Sequence, residues 1–249
     1  MVYLGDSVVI SGCNRGIGLA IAEHIVEEYP EVTKIYAGTR DPSNSKDLDE
    51  LASKYKKIQI VQLDVTDDTS IRKAAQDVAK DVGDGGLSLL INNAGIAIHN
   101  GNTPMNPVRE NILRVYNVNV LGAAMLTAAF LPLLQKAATR NSRPSKVVNI
   151  SSGMGSRIVN AQGLFNTDFA YSASKAALNM YTHVLSVSPL RQQLITLSIC
   201  PGHVRTGMGG PDAPLSTSDS VPLILKNIAE ATSKDSGRYM HHTGVEIQP

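Results

Sequence analysis

The stretch Ser11-Gly12-Cys13-Asn14-Arg15-Gly16-Ile17-Gly18 connects an apolar, β-rich run at Ser7–Ile10 to a segment, Gly16–Glu28, whose apolar residues recur at helical spacing. Glycines here let the backbone turn sharply and approach a phosphate group, and the next helix begins with unpaired N–H groups and a positive dipole end. The glycine spacing is G-x-x-x-G-x-G rather than the commoner G-x-G-x-x-G, so an ordinary glycine turn is the alternative. The strand–turn–helix context favours a loop that binds the pyrophosphate of a dinucleotide.

Beyond this loop, strand-like and helix-like segments alternate along the chain. Strands are predicted at Lys34–Gly38, Ile58–Leu63, Leu87–Ile91, Val147–Ile150 and Leu194–Ile199, with weaker strand character in Gly237–Gln248. Helices are predicted at Asp47–Tyr55, Asp68–Asp81, Pro107–Gln135, Tyr171–Ser186 and Val221–Thr232. Strands separated by helices form βαβ units, so we predict an α/β fold in which a doubly wound, Rossmann-type parallel sheet has helices on both faces. Neither a linker nor a repeat divides residues 1–249, which predicts a single domain.

The composition excludes several classes of protein. The chain has 249 residues and is 43% hydrophobic, which excludes a disordered protein. Its 23 basic and 22 acidic residues nearly cancel, which gives no electrostatic basis for binding nucleic acid or an anionic membrane. Two cysteines, Cys13 and Cys200, cannot form a disulfide framework, and the start of the chain lacks the basic region of a secretory signal. We therefore expect a cytoplasmic protein, and no histidine spacing predicts a metal.

One uncharged stretch, between Arg114 and Lys136, is long enough to cross a bilayer. It contains several polar residues and Pro132, so a helix in a protein core or at a subunit interface is the better interpretation.

Further motifs follow the later strands. Asn92-Asn93-Ala94-Gly95 comes after the fourth strand, where a ligand crevice is expected, although such a turn is common by itself. Val147–Ser152 is an apolar strand that ends in two hydroxyls, for which a strand-end cap is the alternative interpretation. Pro201–Thr206 follows the sixth strand, and a plain Pro-Gly turn is the alternative there. Tyr171 and Lys175 lie four positions apart on a helix, so the ammonium can help a phenol with an ordinary pKa near 10 to act as an acid/base. An exposed Tyr/Lys pair on a solvated helix would give the same sequence pattern.

Taken together and in this order, the five motifs resemble the short-chain dehydrogenase/reductase family over nearly the whole chain. The resemblance implies a single domain with a sheet of about seven strands that binds a nicotinamide dinucleotide. Ser152, Tyr171 and Lys175 match the family's catalytic residues, and Asn119 matches the fourth. In the family, Tyr is the acid/base, Ser orients the substrate oxygen, and Lys binds the nicotinamide ribose and lowers the Tyr pKa. The Asn bends its helix and holds a water of the proton relay.

The resemblance also implies the residues that contact the coenzyme. Asp64 and Val65 match neighbours of the adenine, Asn92 a neighbour of the ribose, and Val204 and Thr206 contacts to the nicotinamide amide and the phosphate. The whole predicted set is Gly12, Asn14, Arg15, Gly16, Ile17, Gly18, Arg40, Asp64, Val65, Asn92, Ala94, Gly95, Tyr171, Lys175, Pro201, Gly202, Val204 and Thr206.

Two arginines predict that the coenzyme is NADP(H). Relatives that prefer NAD usually carry an Asp after the second strand, whereas here Arg40 stands where the 2′-phosphate would lie. Arg15 can close on that phosphate from the other side, since a guanidinium pairs with phosphate through two hydrogen bonds. Asp41, one position later, is the residue that could reverse this preference.

The long segment between Ser152 and Tyr171, together with the stretch after Pro201, looks like the sniffer-type carbonyl reductases. This implies NADPH-dependent reduction of reactive carbonyls, such as lipid-derived aldehydes or quinones, in the cytosol. The extra residues within Ser156–Thr167 and a substrate-proximal loop over residues 203–220, mobile within Gly207–Ser220, would border the pocket. Two alternatives stay open: an alcohol or hydroxysteroid dehydrogenase that works oxidatively, and a dinucleotide sensor without turnover, which would not need all four catalytic residues.

The resemblance finally implies self-association. The uncharged helix and the helix that carries Tyr171 would form a four-helix interface in a homodimer or tetramer, because a long exposed apolar surface is unusual on a monomer.

Overall fold

A seven-stranded parallel sheet in the order β3-β2-β1-β4-β5-β6-β7 organises the chain, in a computed structural model that describes residues 3–98, 103–161 and 168–249. The strands are β1 Ser7–Ser11, β2 Lys34–Thr39, β3 Ile58–Gln62, β4 Leu89–Asn92, β5 Ser145–Ile150, β6 Leu194–Cys200 and β7 Tyr239–His241. The helices are α1 Gly16–Glu28, α2 Lys46–Lys54, α3 Asp68–Val82, α4 Arg109–Tyr116, α5 Ala123–Asn141, α6 Arg157–Asn160, α7 Phe169–Ser186 and α8 Thr217–Glu230. The predicted doubly wound α/β fold is therefore confirmed.

Two apolar clusters cover the two faces of the sheet. One joins α1, α2 and α8 to the strands through residues such as Ile21, Leu48 and Ile224. The other joins α3 and α5 to the opposite face through residues such as Ile71 and Phe130. Because both faces are covered, the strands other than the edge strand β3 are buried along almost their whole length, which explains their nearly continuous apolar sequences.

Three predicted helix starts differ from the structure by two residues or more, and one of them is α7, which begins at Phe169 rather than at Tyr171. Pro107 lies before the helix, which begins at Arg109 after Val108, so this proline is not at the first helical position. Helix α8 begins at Thr217, inside the segment predicted as a mobile loop, because Ser216 and Asp219 form a reciprocal capping box at its start. The buried hydroxyl of Ser220 donates to the Pro201 carbonyl at 2.6 Å, which fixes this helix against the end of β6.

The long uncharged helix packs as a core helix. Helix α4, a π-helical turn at Asn117–Gly122 and helix α5 form one continuous element, Arg109–Asn141, which is long and apolar enough to cross a membrane by length and composition alone. Its inner side carries Leu126, Phe130 and Leu134, all fully buried against the sheet. These contacts place the inner side of the helix in the core, whereas Leu121 and Met125 on its outer side are 54 and 43% exposed, which leaves the predicted alternative of a subunit interface open.

A row of buried polar side chains crosses three strands at one level. Asn92 of β4 is paired in register with Asn149 of β5, and Asn149 with Ser198 of β6. The Asn92 amide donates to Asn149 at 2.8 Å, and the Asn149 amide donates at 2.8 Å to Thr182 of α7, whose hydroxyl lies 2.7 Å from that of Ser198. Asn92 also donates to Thr127 of α5 at 3.0 Å. We call these five side chains the polar row.

A buried lysine at the opposite, amino-terminal end of the strands gives the fold a pH dependence. The Lys146 ammonium donates to the carbonyls of Tyr3, Ile228 and Ala229 at 2.9, 2.6 and 3.2 Å, and the residue is only 7% exposed. Burial, helped by repulsion from Arg143, lowers the pKa of Lys146 from 10.5 to about 8.

Between pH 8 and 10.5 the unfolded chain therefore binds more protons at this site than the folded one, so the free energy of unfolding should rise with pH. We expect Lys146→Met to reduce that slope by up to about 1.4 kcal/mol per pH unit, measured by urea unfolding from pH 7.5 upwards. Lys175, whose pKa is also lowered by burial, continues to contribute to the slope in the variant. An unchanged slope would contradict the assigned environment of Lys146.

Candidate active site

The predicted glycine loop lies at the switch point of the sheet, between β1 and its neighbour β4. Gly12 has a positive φ of 72°, and a Cβ there would lie 3.0 Å from the Cα of Ala94. A Cβ on Gly18 would lie 2.3 Å from the Gly12 carbonyl oxygen, so α1 can approach the loop only with glycine at this position. The loop after β1 and the turn after β4 therefore form the two walls of one crevice.

Ser11 and Asn93 tie these walls together. The Ser11 hydroxyl accepts from the backbone N–H groups of Asn93 and Ala94, both at 3.0 Å. The Asn93 amide donates to the carbonyls of Ser11 and Gly12 at 2.8 and 3.0 Å. Neither residue was in the predicted coenzyme set, although Asn93 belongs to the quoted Asn-Asn-Ala-Gly motif. Their contacts are with backbone, which the motif alone does not reveal.

The start of α1 is suited to a phosphate. Arg15 occupies the position before the helix in an extended conformation, its side chain makes no capping hydrogen bond, and no acidic residue lies in the first turn. A Cβ on Gly16 would lie 3.4 Å from the Thr206 methyl, so the glycine loop and the loop after β6 meet here. Asn14 is partly exposed beside them, and Ile17 packs on the core beneath. These residues fit the pyrophosphate of a dinucleotide, which helix N–H groups bind.

Two exposed guanidiniums flank this crevice. Arg15 and Arg40 form no hydrogen bond or ion pair with any residue in the described part of the chain. The Asp41 carboxylate, in contrast, accepts from the Ser43 N–H at 3.1 Å and from the Ser43 hydroxyl at 2.6 Å. Asp41 is thus engaged in the turn that precedes α2, whereas both guanidiniums keep all their donors available to a ligand.

Ser152, Tyr171 and Lys175 converge at the carboxyl edge of the sheet. Ser152 follows β5, and its hydroxyl lies close enough to the Tyr171 phenol to lower the pKa of that phenol. Helix α7 carries Tyr171 in its first turn, where Asp168 caps the Tyr171 N–H at 3.0 Å. One turn later, the Lys175 ammonium donates to the Ile150 carbonyl at 2.8 Å and lies 5.6 Å from the centroid of the Tyr171 ring.

Burial shifts both titratable groups towards their neutral forms. It raises the pKa of Tyr171 to about 12, although the Ser152 hydrogen bond opposes this. It lowers the pKa of Lys175 to about 8. The expected lowering of the Tyr171 pKa by Lys175 is thus not found in this structure, because desolvation of the phenol outweighs an ammonium that is directed at a carbonyl.

Asn119 connects the catalytic pair to the turn after β4. It lies in the π-helical turn and is 1% exposed. Its amide accepts from the Ile96 N–H at 2.8 Å, and donates to the Ile96 carbonyl and the Ser174 hydroxyl, both at 3.0 Å. A Cβ on Gly95 would lie 3.4 Å from Asn119 Oδ1 and 3.6 Å from Lys175 Nζ, so these three residues meet at one point.

Three predicted coenzyme positions lie at the end of β4 or just after β3. The Asn92 side chain points into the polar row, so only its backbone is available to a coenzyme. The Asp64 carboxylate accepts from the N–H and hydroxyl of Thr66 at 2.9 and 2.7 Å, and Val65 packs on Gly122 in the π-helical turn.

The loop after β6 is held by its own hydrogen bonds. Val204, 3% exposed, forms a parallel bridge with Leu215, and the Arg205 guanidinium donates to the carbonyls of Ala213 and Pro214 at 2.8 and 2.9 Å. Pro201 is buried, and Gly202 beside it has a positive φ of 80°. In the other predicted pocket segment, Ser156 caps α6, while residues 162–167 lie outside the described residues.

Comparisons with known proteins agree with this geometry. The model of the short chain dehydrogenase family matches residues 6–214. The NADPH-bound carbonyl reductase from chicken fatty liver has a TM-score of 0.92 and 35% identity, covering 98% of this chain and 99% of that one. The carbonyl reductase Sniffer of D. melanogaster also has a TM-score of 0.92, with 31% identity, 98% of this chain and 100% of that one. An oxidoreductase of Schizosaccharomyces pombe is 36% identical over 225 residues, which are 90% of this chain and 83% of the relative.

The family match, these relatives and the shared seven-stranded fold show that the chain belongs to the short-chain dehydrogenase family of oxidoreductases and is structurally similar to Sniffer-like carbonyl reductases.

Proposed function

We propose that the protein is an NADPH-dependent carbonyl reductase in which Tyr171 is the general acid/base. The observation that carries this proposal is the convergence of Ser152, Tyr171 and Lys175, with the Lys175 ammonium 5.6 Å from the Tyr171 ring, at the edge where the glycine loop opens. Two neighbouring hydroxyls can both bind one carbonyl oxygen, which is the geometry that protonation of a developing alkoxide requires.

In this mechanism the nicotinamide supplies the hydride, and the chain's own residues hold and protonate the substrate oxygen. Tyr171 is neutral at pH 7, since its pKa is raised to about 12, so it carries the proton that it donates. Ser152 donates a hydrogen bond to the same oxygen and fixes its position. Lys175 is mostly protonated at pH 7, and its positive charge stabilises the phenolate left behind. Asn119 keeps the wall beside Lys175 in place.

The preference for NADPH rests on charge. Arg15 and Arg40 are exposed and unpaired within the described residues, whereas the Asp41 carboxylate is engaged with Ser43. An additional phosphate on the adenosine ribose would therefore meet two available guanidiniums, while the Asp41 carboxylate is directed at Ser43. The chicken carbonyl reductase, which binds NADPH, supports the same choice.

The segments beside the catalytic residues favour an apolar substrate. Ile158 of α6, Phe169 of α7 and Met208 in the loop after β6 are 42, 42 and 44% exposed. We therefore infer a small carbonyl compound with apolar character, bounded by the substrate-proximal loop of residues 203–220, and we propose a cytoplasmic site of action for a single-domain enzyme. Oxidation of an alcohol uses the same residues in reverse.

The direct test follows NADPH absorbance in the presence of a panel of aldehydes, diketones and quinones. We expect turnover with NADPH on at least one apolar carbonyl, and reverse turnover on the corresponding alcohol. Tight binding of NADPH without turnover on any of them would instead support a dinucleotide sensor.

Self-association is a second proposal, carried by exposed apolar residues on two adjacent helices. Leu113 of α4 is 61% exposed, and Met180 and Val184 of α7 are 61 and 55% exposed. Large exposed apolar side chains grouped on neighbouring helices are typical of a protein–protein interface. We expect sedimentation equilibrium at micromolar concentration to show a dimer or tetramer, and Met180→Glu with Val184→Glu to shift it to the mass of one chain. A wild-type monomer would contradict this.

A further inference from the structure

The peptide bond between Ser152 and Gly153 is held at both of its polar groups by side chains from the last two strands. The phenol of Tyr239, on β7, donates to the Ser152 carbonyl at 2.5 Å. The sulfur of Cys200, at the end of β6, accepts from the Gly153 N–H at 3.0 Å. Both residues are buried, at 7 and 5% exposure, and neither has a role in the proposed mechanism.

Holding both ends of one peptide fixes its plane, and the Ser152 Cα is part of that plane. The Ser152 Oγ itself accepts from the Met154 N–H at 3.2 Å, so the fixed peptide and this bond together hold the hydroxyl in one direction beside Tyr171. Cys200 also accepts from the Gly202 N–H at 3.4 Å, so one sulfur joins the serine turn to the turn of Pro201 and Gly202. We propose that Tyr239 and Cys200 are positioning residues that aim Ser152 at the substrate oxygen.

This arrangement does more than stabilise the turn. The Ser152 carbonyl also accepts from the Gly155 N–H at 2.9 Å, so the turn keeps one bond when Tyr239 loses its hydroxyl. Burial raises the pKa of Tyr239 far above its ordinary value, so the phenol stays a donor across the working pH range. The inference rests on the proposed function, because it assigns the residues that orient Ser152, and Ser152 acts in that mechanism.

The test compares Tyr239→Phe, Ser152→Ala and the double variant at saturating NADPH. We expect Tyr239→Phe to lower kcat about tenfold or more, since a small displacement of a positioned group is costly, with coenzyme affinity almost unchanged. Ser152 lowers the pKa of Tyr171. When Ser152 is held less firmly, the increase of the alcohol-oxidation rate with pH should therefore move to higher pH. In the Ser152→Ala background the Tyr239 change should have no further effect.

A matched control is Tyr36→Phe on β2, which removes another buried phenol, one that lies 2.5 Å from the Asp81 carboxylate. It should lower the melting temperature without changing kcat or the pH profile. Cys200→Ala should reproduce the lower kcat and the shifted pH profile of Tyr239→Phe. Cys200→Ser, whose hydroxyl can accept from the Gly153 N–H, should recover most of the activity. These two variants test the positioning role if Tyr239→Phe does not fold.

An unchanged kcat and pH profile in Tyr239→Phe, or an equal loss with and without Ser152, would overturn the positioning role and leave the proposed function standing. Wild-type kcat in Ser152→Ala alone would overturn the role of Ser152 and the positioning role with it, whereas absence of turnover by the wild-type protein would overturn the proposed function.

Discussion

Tyr171→Phe is expected to lower kcat by roughly 10²–10⁴-fold while leaving the fold and coenzyme binding nearly intact. The phenol is the proton source for the developing alkoxide, and its hydrogen bond is made chiefly in the transition state, so kcat should fall far more than KM rises. The ring remains, so the packing at the start of α7 is preserved. Steady-state kinetics on a good carbonyl substrate, with NADPH titrated by fluorescence, measure both quantities.

The comparison variant is Lys175→Ala, which should differ in kind. Because Lys175 is proposed to bind the nicotinamide ribose as well as to stabilise the phenolate, that variant should lose coenzyme affinity and turnover together. If Tyr171→Phe kept more than about a tenth of the wild-type kcat, Tyr171 would not be the general acid at the expected magnitude.

Removal of the Arg40 guanidinium is expected to weaken NADPH binding and leave NADH binding unchanged. A charge-assisted hydrogen bond contributes about 1.5–3 kcal/mol, so Arg40→Ala should raise the NADPH Kd by about 10- to 100-fold. Arg15→Ala should act in the same direction, although its position on the glycine loop also brings it near the pyrophosphate that both coenzymes share. Fluorescence titration of the two variants with NADPH and NADH gives all four affinities.

The matched control removes a positive charge from the opposite, amino-terminal end of the strands. Arg191 is exposed in the turn Pro189–Gln192 that precedes β6, and Arg191→Ala should change neither affinity. Tighter binding of NADH than of NADPH by the wild-type protein would refute the proposed coenzyme preference outright.

Sequence patterns predicted the framework well where local chemistry dictates it. The glycine loop, for example, combines a buried strand, residues of positive φ and an uncapped helix start. Each of these features is visible in the sequence, as an apolar run, as glycines and as the beginning of helical spacing. The helical spacing of Tyr171 and Lys175 likewise predicted their common face. For the strands, alternation with helices was enough to give the sheet and its two covered faces.

Features that depend on contacts between distant segments were not predicted. Ser11 and Asn93 act through backbone groups across the crevice, and Tyr239 reaches Ser152 from a strand that had only weak sequence character. The start of α8 was missed because Gly and Pro nearby favoured a loop, whereas the capping box of Ser216 and Asp219 decides it. The pKa of Tyr171 was expected to fall, but desolvation, which requires the three-dimensional surroundings, raises it.

The polar row has a consequence for how the chain finds its native strand alignment. The central strands are so uniformly apolar that sliding β5 by two residues against β4 and β6 would keep the same faces buried. Such a slide would separate Asn149 from Asn92 and Thr182 and leave several interior polar groups without partners, at about 1–3 kcal/mol each. Five side chains thus penalise the misaligned sheets that hydrophobic burial alone would tolerate, and the native alignment is the one in which β4, β5 and β6 end together beneath the catalytic residues.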